Sequence, residues 1–267
     1  MMEPRALVMG IVNVTPDSFS DGGQHSDTNA AIAHGRALIA AGADWLDIGG
    51  ESTRPGAQPV SETDELARVI PVIEALAGAG VPLSIDTMKP EIARQAVKAG
   101  AVMWNDVNAL RASGAPKMAA ELGCAACLMH MQGEPRTMQA NPHYEDVVAE
   151  VEAFLLERAE RVMSAGVSRE NIWLDPGIGF GKTPAHNLAL MAALPRLASH
   201  GFATLFGASR KRFIAAVDDD APADGRLGGS IAAALHAARS GVRMVRVHDV
   251  RETVQALKVQ AVIAGVG

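Results

Sequence analysis

Asp86 and Asp175 stand among apolar neighbours, in Ser84-Ile-Asp and Trp173-Leu-Asp, so both carboxylates are expected to be drawn inward. A buried carboxylate has to be paired or hydrogen-bonded, and a heterocycle with adjacent N–H donors would meet that need. The opposite charge comes from Arg54, Arg210, Lys211, Arg246 and His248. In Val245-Arg-Val-His-Asp249 the Arg and His are two positions apart, so on a strand they share a face and can hold a phosphate together. The apolar residues around them argue against a surface ion pair. Asn13, Glu51-Ser-Thr-Arg54, Asn105-Asp106, His130 and Ser209 complete the polar set. At Asp106, Ser52 and Asp249 a helix cap or turn explains the residue type as well as a ligand does.

Three more familiar chemistries fit poorly. Gly177-Ile-Gly-Phe-Gly-Lys-Thr183 looks like a nucleotide loop, but that motif needs glycine where Pro176 stands. The glycines are better read as a flexible turn that lets Phe180 reach over a site. A metal-dependent hydrolase barrel would carry H-x-H on its first strand, which here ends Asn13-Val-Thr. Cys124 and Cys127 form C-x-x-C, yet no second Cys or His pair lies nearby, so both are read as small buried hydrophobes.

These residues need a scaffold that gathers them. Each stands at the C-terminal end of a short apolar run: 6–14, 45–49, 83–87, 102–107, 126–131, 172–176, 204–209 and 244–249. The runs are nearly continuous, as in parallel strands covered on both faces. Most intervals carry helical spacing, as in Leu66, Val69, Ile70, Ile73 and Leu76. Gly42, Gly80, Gly100, Gly123, Gly166, Gly201 and Gly241 precede seven of the runs, where a left-handed residue ends a helix. Repeated β-α units admit a closed barrel or an open doubly wound sheet. Polar residues at every strand end favour the barrel, which brings all eight ends to one mouth. The 267 residues match one (β/α)₈ TIM barrel, a single domain over 1–267. Acidic Asp218–Gly225 reads as a solvated excursion after the seventh strand.

The net charge of −6 argues against a broad nucleic-acid footprint. No apolar stretch is long enough for a membrane span, and the first residues lack a secretory signal. The expected setting is the cytoplasm and the expected partners are small molecules.

Eight segments in order carry a resemblance to one family. They are Met9–Gly23 (MGIVNVTPDSFSDGG), Gly49–Gly56 (GGESTRPG), Ser84–Thr87, Asn105–Val107, Leu128–Gly133, Leu174–Lys182 (LDPGIGFGK), Ser209–Lys211 and Arg246–Asp249. Along nearly its whole length the chain resembles bacterial dihydropteroate synthase. The resemblance implies a Mg²⁺-dependent transferase of folate biosynthesis, commonly a homodimer and a sulfonamide target. It joins 6-hydroxymethyl-7,8-dihydropterin diphosphate to 4-aminobenzoate, releasing diphosphate, by dissociative C–O cleavage. By resemblance the pterin lies against Asp86, Asn105, Asp175 and Lys211 with Thr53 nearby, and Asp175 and Lys211 carry the chemistry. Asn13, Arg246 and His248 face the diphosphate, and Asn13 also ligates the metal.

The aminobenzoate would rest between Phe180, Pro55 and the stem of Lys211, with Ser209 at the edge. Thr15–Gly23, with Phe19 and Asp21, is the expected lid, and binding is expected to be ordered. Three departures stand out: a reduced N-terminal hairpin, so that something else must cover the barrel floor; Arg212 where many relatives have serine; and Met88 after Asp86-Thr87. A pterin-binding methyltransferase shares the barrel but does not need Arg246, His248 and Lys211 around a diphosphate. A non-catalytic pterin-binding paralogue would be expected to have lost Asn13, Lys211 or Arg246.

Overall fold

The computed structural model of the chain describes residues 5–15, 23–53 and 56–265. Arg54, Pro55, Phe19, Asp21 and most of the expected lid therefore lie outside the described residues. The strands are β1 (Leu7–Asn13), β2 (Trp45–Gly49), β3 (Leu83–Asp86), β4 (Met103–Asp106), β5 (Ala125–Met129), β6 (Ile172–Asp175), β7 (Ala203–Phe206) and β8 (Met244–Val247). Between and after them run α1 (Gly23–Ala40), α2 (Glu62–Leu76), α3 (Pro90–Ala99), α4 (Ala115–Leu122), α5 (Val147–Ser164), α6 (Pro184–Ala192), α7 (Leu194–Ala198), α8 (Arg212–Ala215), α9 (Leu227–Arg239) and α10 (Val250–Ala264). All neighbouring strands are parallel and β8 returns to β1, closing the barrel in sequence order. The doubly wound alternative is thereby excluded.

Alternation along each strand divides the core. Val8, Leu46, Ile48, Ile85, Trp104, Leu128, Leu174 and Val245 face outward and meet the helices. Met9, Met103, Cys127, Trp173, Leu205 and Met244 face inward from six strands and touch one another. Leu7, Trp45, Ala125 and Ala203 pack below them, and the Trp45 and Trp173 rings lie 6.5 Å apart. These side chains fill the floor from within, which meets the need for cover there. Asp47, Ser84, Asp86, Asn105, Asp175 and Arg246 continue the inward-facing series toward the mouth, so the polar layer rests on a packed apolar one.

All seven glycines expected to end helices have positive φ. At Gly100 the value is 123°, and its N–H caps α3 by donating to Ala96 and Val97. Strand ends fall within a few residues of expectation. The largest difference is β7, which stops at Phe206, because Gly207–Arg210 leaves the sheet in a turn where Arg210 has φ 59° and donates its N–H to Ser230 Oγ. Cys124 and Cys127 are free and buried, as read. Asp218–Gly225 is an exposed excursion with one short 3₁₀ turn.

Candidate active site

Ionic contacts converge at the C-terminal end of the barrel. Arg246, on β8, donates from Nε to Asp47 Oδ2 at 2.6 Å and from Nη2 to Asp86 Oδ2 at 2.9 Å. Asn105 Nδ2 donates to the same Asp47 oxygen at 3.0 Å. Asp47 is fully buried, Asn105 and Asp175 are buried, and Asp86 is nearly so. Burial pushes the Asp86 carboxyl up to about 7; Arg246 opposes this and the nearby Asp47 charge adds to it. Burial disfavours the Arg246 charge as well, but Asp47 and Asp86 outweigh that and raise it above the usual arginine range. The guanidinium is therefore a permanent cation held between two carboxylates.

Opposite, Asp175 Oδ1 accepts the Gly177 N–H at 2.7 Å. Burial raises its carboxyl, while Lys211 and that N–H pull it back. Lys211 follows the β7 turn and donates to the Ile178 carbonyl, with Nζ 4.7 Å from the Phe180 ring centroid. Burial lowers its ammonium to about 8, against the stabilising charge of Asp175. Asp86, Asn105, Asp175 and Lys211 thus reach the mouth from β3, β4, β6 and the end of β7. Acceptors and a donor stand together at one end of the barrel, the pattern a flat heterocycle with mixed N–H and carbonyl edges requires.

The remaining expected residues lie around this ring. Asn13 ends β1, half-buried, in register with Gly49. Thr53 is half-buried in the loop after β2. His248 follows β8, and its Nδ1 is 3.0 Å from Ser209 Oγ, which also accepts the His248 N–H. Ser209 therefore ties the ends of β7 and β8 together. Met88 and Phe180 pack against Val107, Met129, Met131 and Met138, giving one wall of the mouth a soft apolar lining.

Two expectations change, and one open reading closes. The 177–181 segment is no flexible turn: the carbonyls of Ile178, Gly179, Phe180 and Gly181 accept from Lys211, Gln139, Lys182 and Tyr144 in turn. The glycines are required because the backbone is pressed close. A Cβ on Gly177, at φ 68°, would lie 1.9 Å from the His130 carbonyl oxygen. Arg210 does not join the anion-facing cations; its guanidinium is spent on Asp249, which is a partner for Arg210 and makes no side-chain cap. Asp106, for which turn and ligand were equally open, is the turn former: it accepts the N–H groups of Asn108 and Leu110, while Arg158 holds the Ala109 and Leu110 carbonyls.

Several residues went unread in the sequence. Asp47 lies inside an apolar strand, not at its end; a charge in Trp45-Leu-Asp-Ile-Gly was the available signal. Lys182 is buried and bonds His130 Nδ1 and the His130 and Phe180 carbonyls, with burial lowering it to about 7. Burial, with Lys182 beside it, drops His130 to about 3, so its ring is neutral. Lys89 joins Glu51, buried Glu65 and the Val60 carbonyl, anchoring the loop that carries Thr53.

Fold and site together define a (β/α)₈-barrel enzyme whose mouth is lined by side chains that suit a flat, hydrogen-bonding ring. The family model for pterin binding enzymes matches residues 9–248. Dihydropteroate synthase of Escherichia coli K12 is 50% identical over 253 residues, covering 94% of this chain and 89% of that protein. The Xanthomonas albilineans dihydropteroate synthase solved with 4-aminobenzoic acid is 52% identical, with TM-score 0.93 and coverage of 98% and 94%. The same enzyme in complex with 7,8-dihydropteroate superposes with TM-score 0.89 at 48% identity, covering 100% and 96%. A Yersinia pestis dihydropteroate synthase in a sulfonamide drug complex gives TM-score 0.92 at 45% identity, covering 98% and 95%. The chain belongs to the dihydropteroate synthase family of pterin binding enzymes.

Proposed function

We propose that the chain condenses 6-hydroxymethyl-7,8-dihydropterin diphosphate with 4-aminobenzoate, forming 7,8-dihydropteroate and diphosphate in folate biosynthesis. The observation that carries this reading is the mouth: buried Asn105 and Asp175, nearly buried Asp86 and Lys211 stand at the same end of the barrel, with Arg246 bonded to Asp86 beside them. Asp86 and Asp175 accept from the pterin amino and ring N–H groups, and Lys211 donates to its carbonyl and ring nitrogen. Thr53 lies at the rim. Holding the ring in a dry, pre-oriented set of partners aligns the methylene carbon for displacement.

On the other side, Asn13, Arg246 and His248 meet the diphosphate, and its departure is eased as they offset its negative charge. The C–O bond breaks ahead of attack, the electron-rich pterin stabilises the resulting cation, and the neutral aniline nitrogen captures it. Phe180, the Lys211 stem and Ser209 line the approach of the aminobenzoate. A sulfonamide, which mimics aminobenzoate, would take the same place, in keeping with the Yersinia pestis complex.

Asn13 offers one amide oxygen, and among the described residues no trio of His, Cys, Asp or Glu gathers to cage a metal. That donor set suits Mg²⁺, which keeps several waters and binds through few protein ligands plus substrate phosphates. When bound it neutralises leaving-group charge. The reading extends to a cytoplasmic homodimer. Free Cys124 and Cys127 suit a reducing compartment, and no described helix is long and apolar enough to cross a membrane. Exposed Val259, Val262 and Ile263 give α10 an apolar face for a second copy. Diphosphate release on mixing both substrates with Mg²⁺ tests the activity; none would overturn it. Sedimentation tests the dimer.

A further inference from the structure

We propose that Asp47 is a positioning residue of the heterocycle-binding half of the mouth, turning the Asn105 amide toward the bound ring and holding the Arg246 guanidinium so that Asp86 stays open to that ring. The inference rests on reading that half as the pterin site. Asp47 lies in the middle of β2, faces the barrel interior and is fully buried. Its Oδ2 receives both Asn105 and Arg246, while Oδ1 has no hydrogen-bond partner among the described residues. Ser84 Oγ, in register with it on β3, is likewise unpartnered.

A buried charge with one oxygen unsatisfied is costly. Packing does not require it, since six strands fill the layer beneath with apolar side chains such as Met9, Met103 and Leu205. What only a carboxylate supplies here is direction. Being acceptor-only, it compels Asn105 to present its NH₂, so the amide oxygen of Asn105 is turned out to accept from a ligand N–H. It also takes Arg246 Nε, so that Arg246 is shared between two anions and does not close fully on Asp86. Asp86 is thus left with acceptor capacity for the ring.

Replacing Asp47 by Asn removes the charge at constant volume. Arg246 then falls to Asp86, and the Asn105 amide is free to turn over. KM for the pterin diphosphate is expected to rise by about tenfold or more, the scale of a lost charged hydrogen bond, with KM for aminobenzoate unchanged. The charged groups facing Asp86 are Arg246 on β8, Asp47 on β2, Asp106 on β4, Glu65 on α2 and Lys211 after β7. Removing the Asp47 charge removes one reason for Asp86 to stay protonated. The acidic limb of kcat/KM for the pterin substrate is therefore expected to move to lower pH.

The experiment measures both KM values, that limb and calorimetric binding of a pterin for the wild type, Asp47→Asn and Ser84→Ala, with circular dichroism to check the fold. Ser84→Ala, which removes an unpartnered hydroxyl and leaves the Asp47 charge in place, is expected to leave the acidic limb where it is. Asp47→Ser, smaller and neutral, serves if the amide variant does not fold. An inactive wild type would sink the pterin reading itself. An active wild type with a folded Asp47 variant whose pterin KM and limb are unmoved overturns the inference, as does a parallel rise in both KM values with a stationary limb, which is what general loosening produces.

Discussion

Arg246 allows two carboxylates to share the barrel interior, and its loss would be felt twice. Arg246→Leu leaves Asp47 and Asp86 buried without their counter-ion, an arrangement that costs about 3–5 kcal/mol when one partner of a buried pair is removed. Urea denaturation is expected to show a loss on that scale, and diphosphate release to vanish. The titration of its neighbours makes the site pH-sensitive in a direction that can be worked out. Asp86, raised to about 7, is protonated below that value and then accepts from the ring as a neutral, weaker acceptor with one oxygen turned into a donor. Lys211, lowered to about 8, loses its charge and a donor proton above it. The pH profile of kcat/KM for the pterin substrate is therefore expected to be a narrow bell, rising through about 7 and falling through about 8. In Asp86→Asn the acidic limb should flatten. A broad plateau from acid to alkaline pH in the wild type would contradict this.

At the scale of the element, the loop joining β6 to α6 is built as a rigid ledge. Four successive carbonyls take side-chain donors from Lys211, Gln139, Lys182 and Tyr144, and Asn187 Oδ1 accepts the Gly179 N–H. The ledge holds Phe180 beside Lys211, so its stiffness bears on the second substrate more than on the first. Lys182→Met removes the donor to the Phe180 and His130 carbonyls, at about 1–3 kcal/mol for unsatisfied buried groups. KM for aminobenzoate should rise while KM for the pterin substrate changes little. Steady-state kinetics with each substrate varied in turn separates the two. Gly177→Ala is the harsher change, because its Cβ would overlap the His130 carbonyl at a left-handed φ. A stability loss of about 2 kcal/mol or more is expected from chemical denaturation, given the combined clash and backbone strain.

For the whole molecule, closure of β8 onto β1 separates two jobs by depth. The inward-facing apolar layer supplies cohesion and the polar layer above it supplies binding. Leu205→Ala, in the lower layer, is expected to cost about 2–5 kcal/mol in thermal or urea unfolding, with KM values near those of the wild type. Equal damage to stability and KM would show that the layers are not separable. Much of this plan was written locally. Apolar runs, helical spacing and seven glycines that do take positive φ marked the β-α repeat. The polar residues at strand ends named the right neighbourhood, since chain order around a closed barrel carries each end to the same mouth. Partnership was not legible in the same way. Arg210 turned to Asp249, and the glycine loop became stiff because of donors 40 and 37 positions away. Asp47 and Arg246 are 199 positions apart and meet only because β2 and β8 both flank β1, where Ile11 pairs with Asp47 and Met9 with Arg246. By itself the sequence determined the repeat, the barrel and the ring of reactive side chains, because those follow from local periodicity and order along the chain. Which side chain neutralises, aims or locks which other was decided by the tertiary structure, because charge pairing in a buried space depends on distances that barrel closure alone sets.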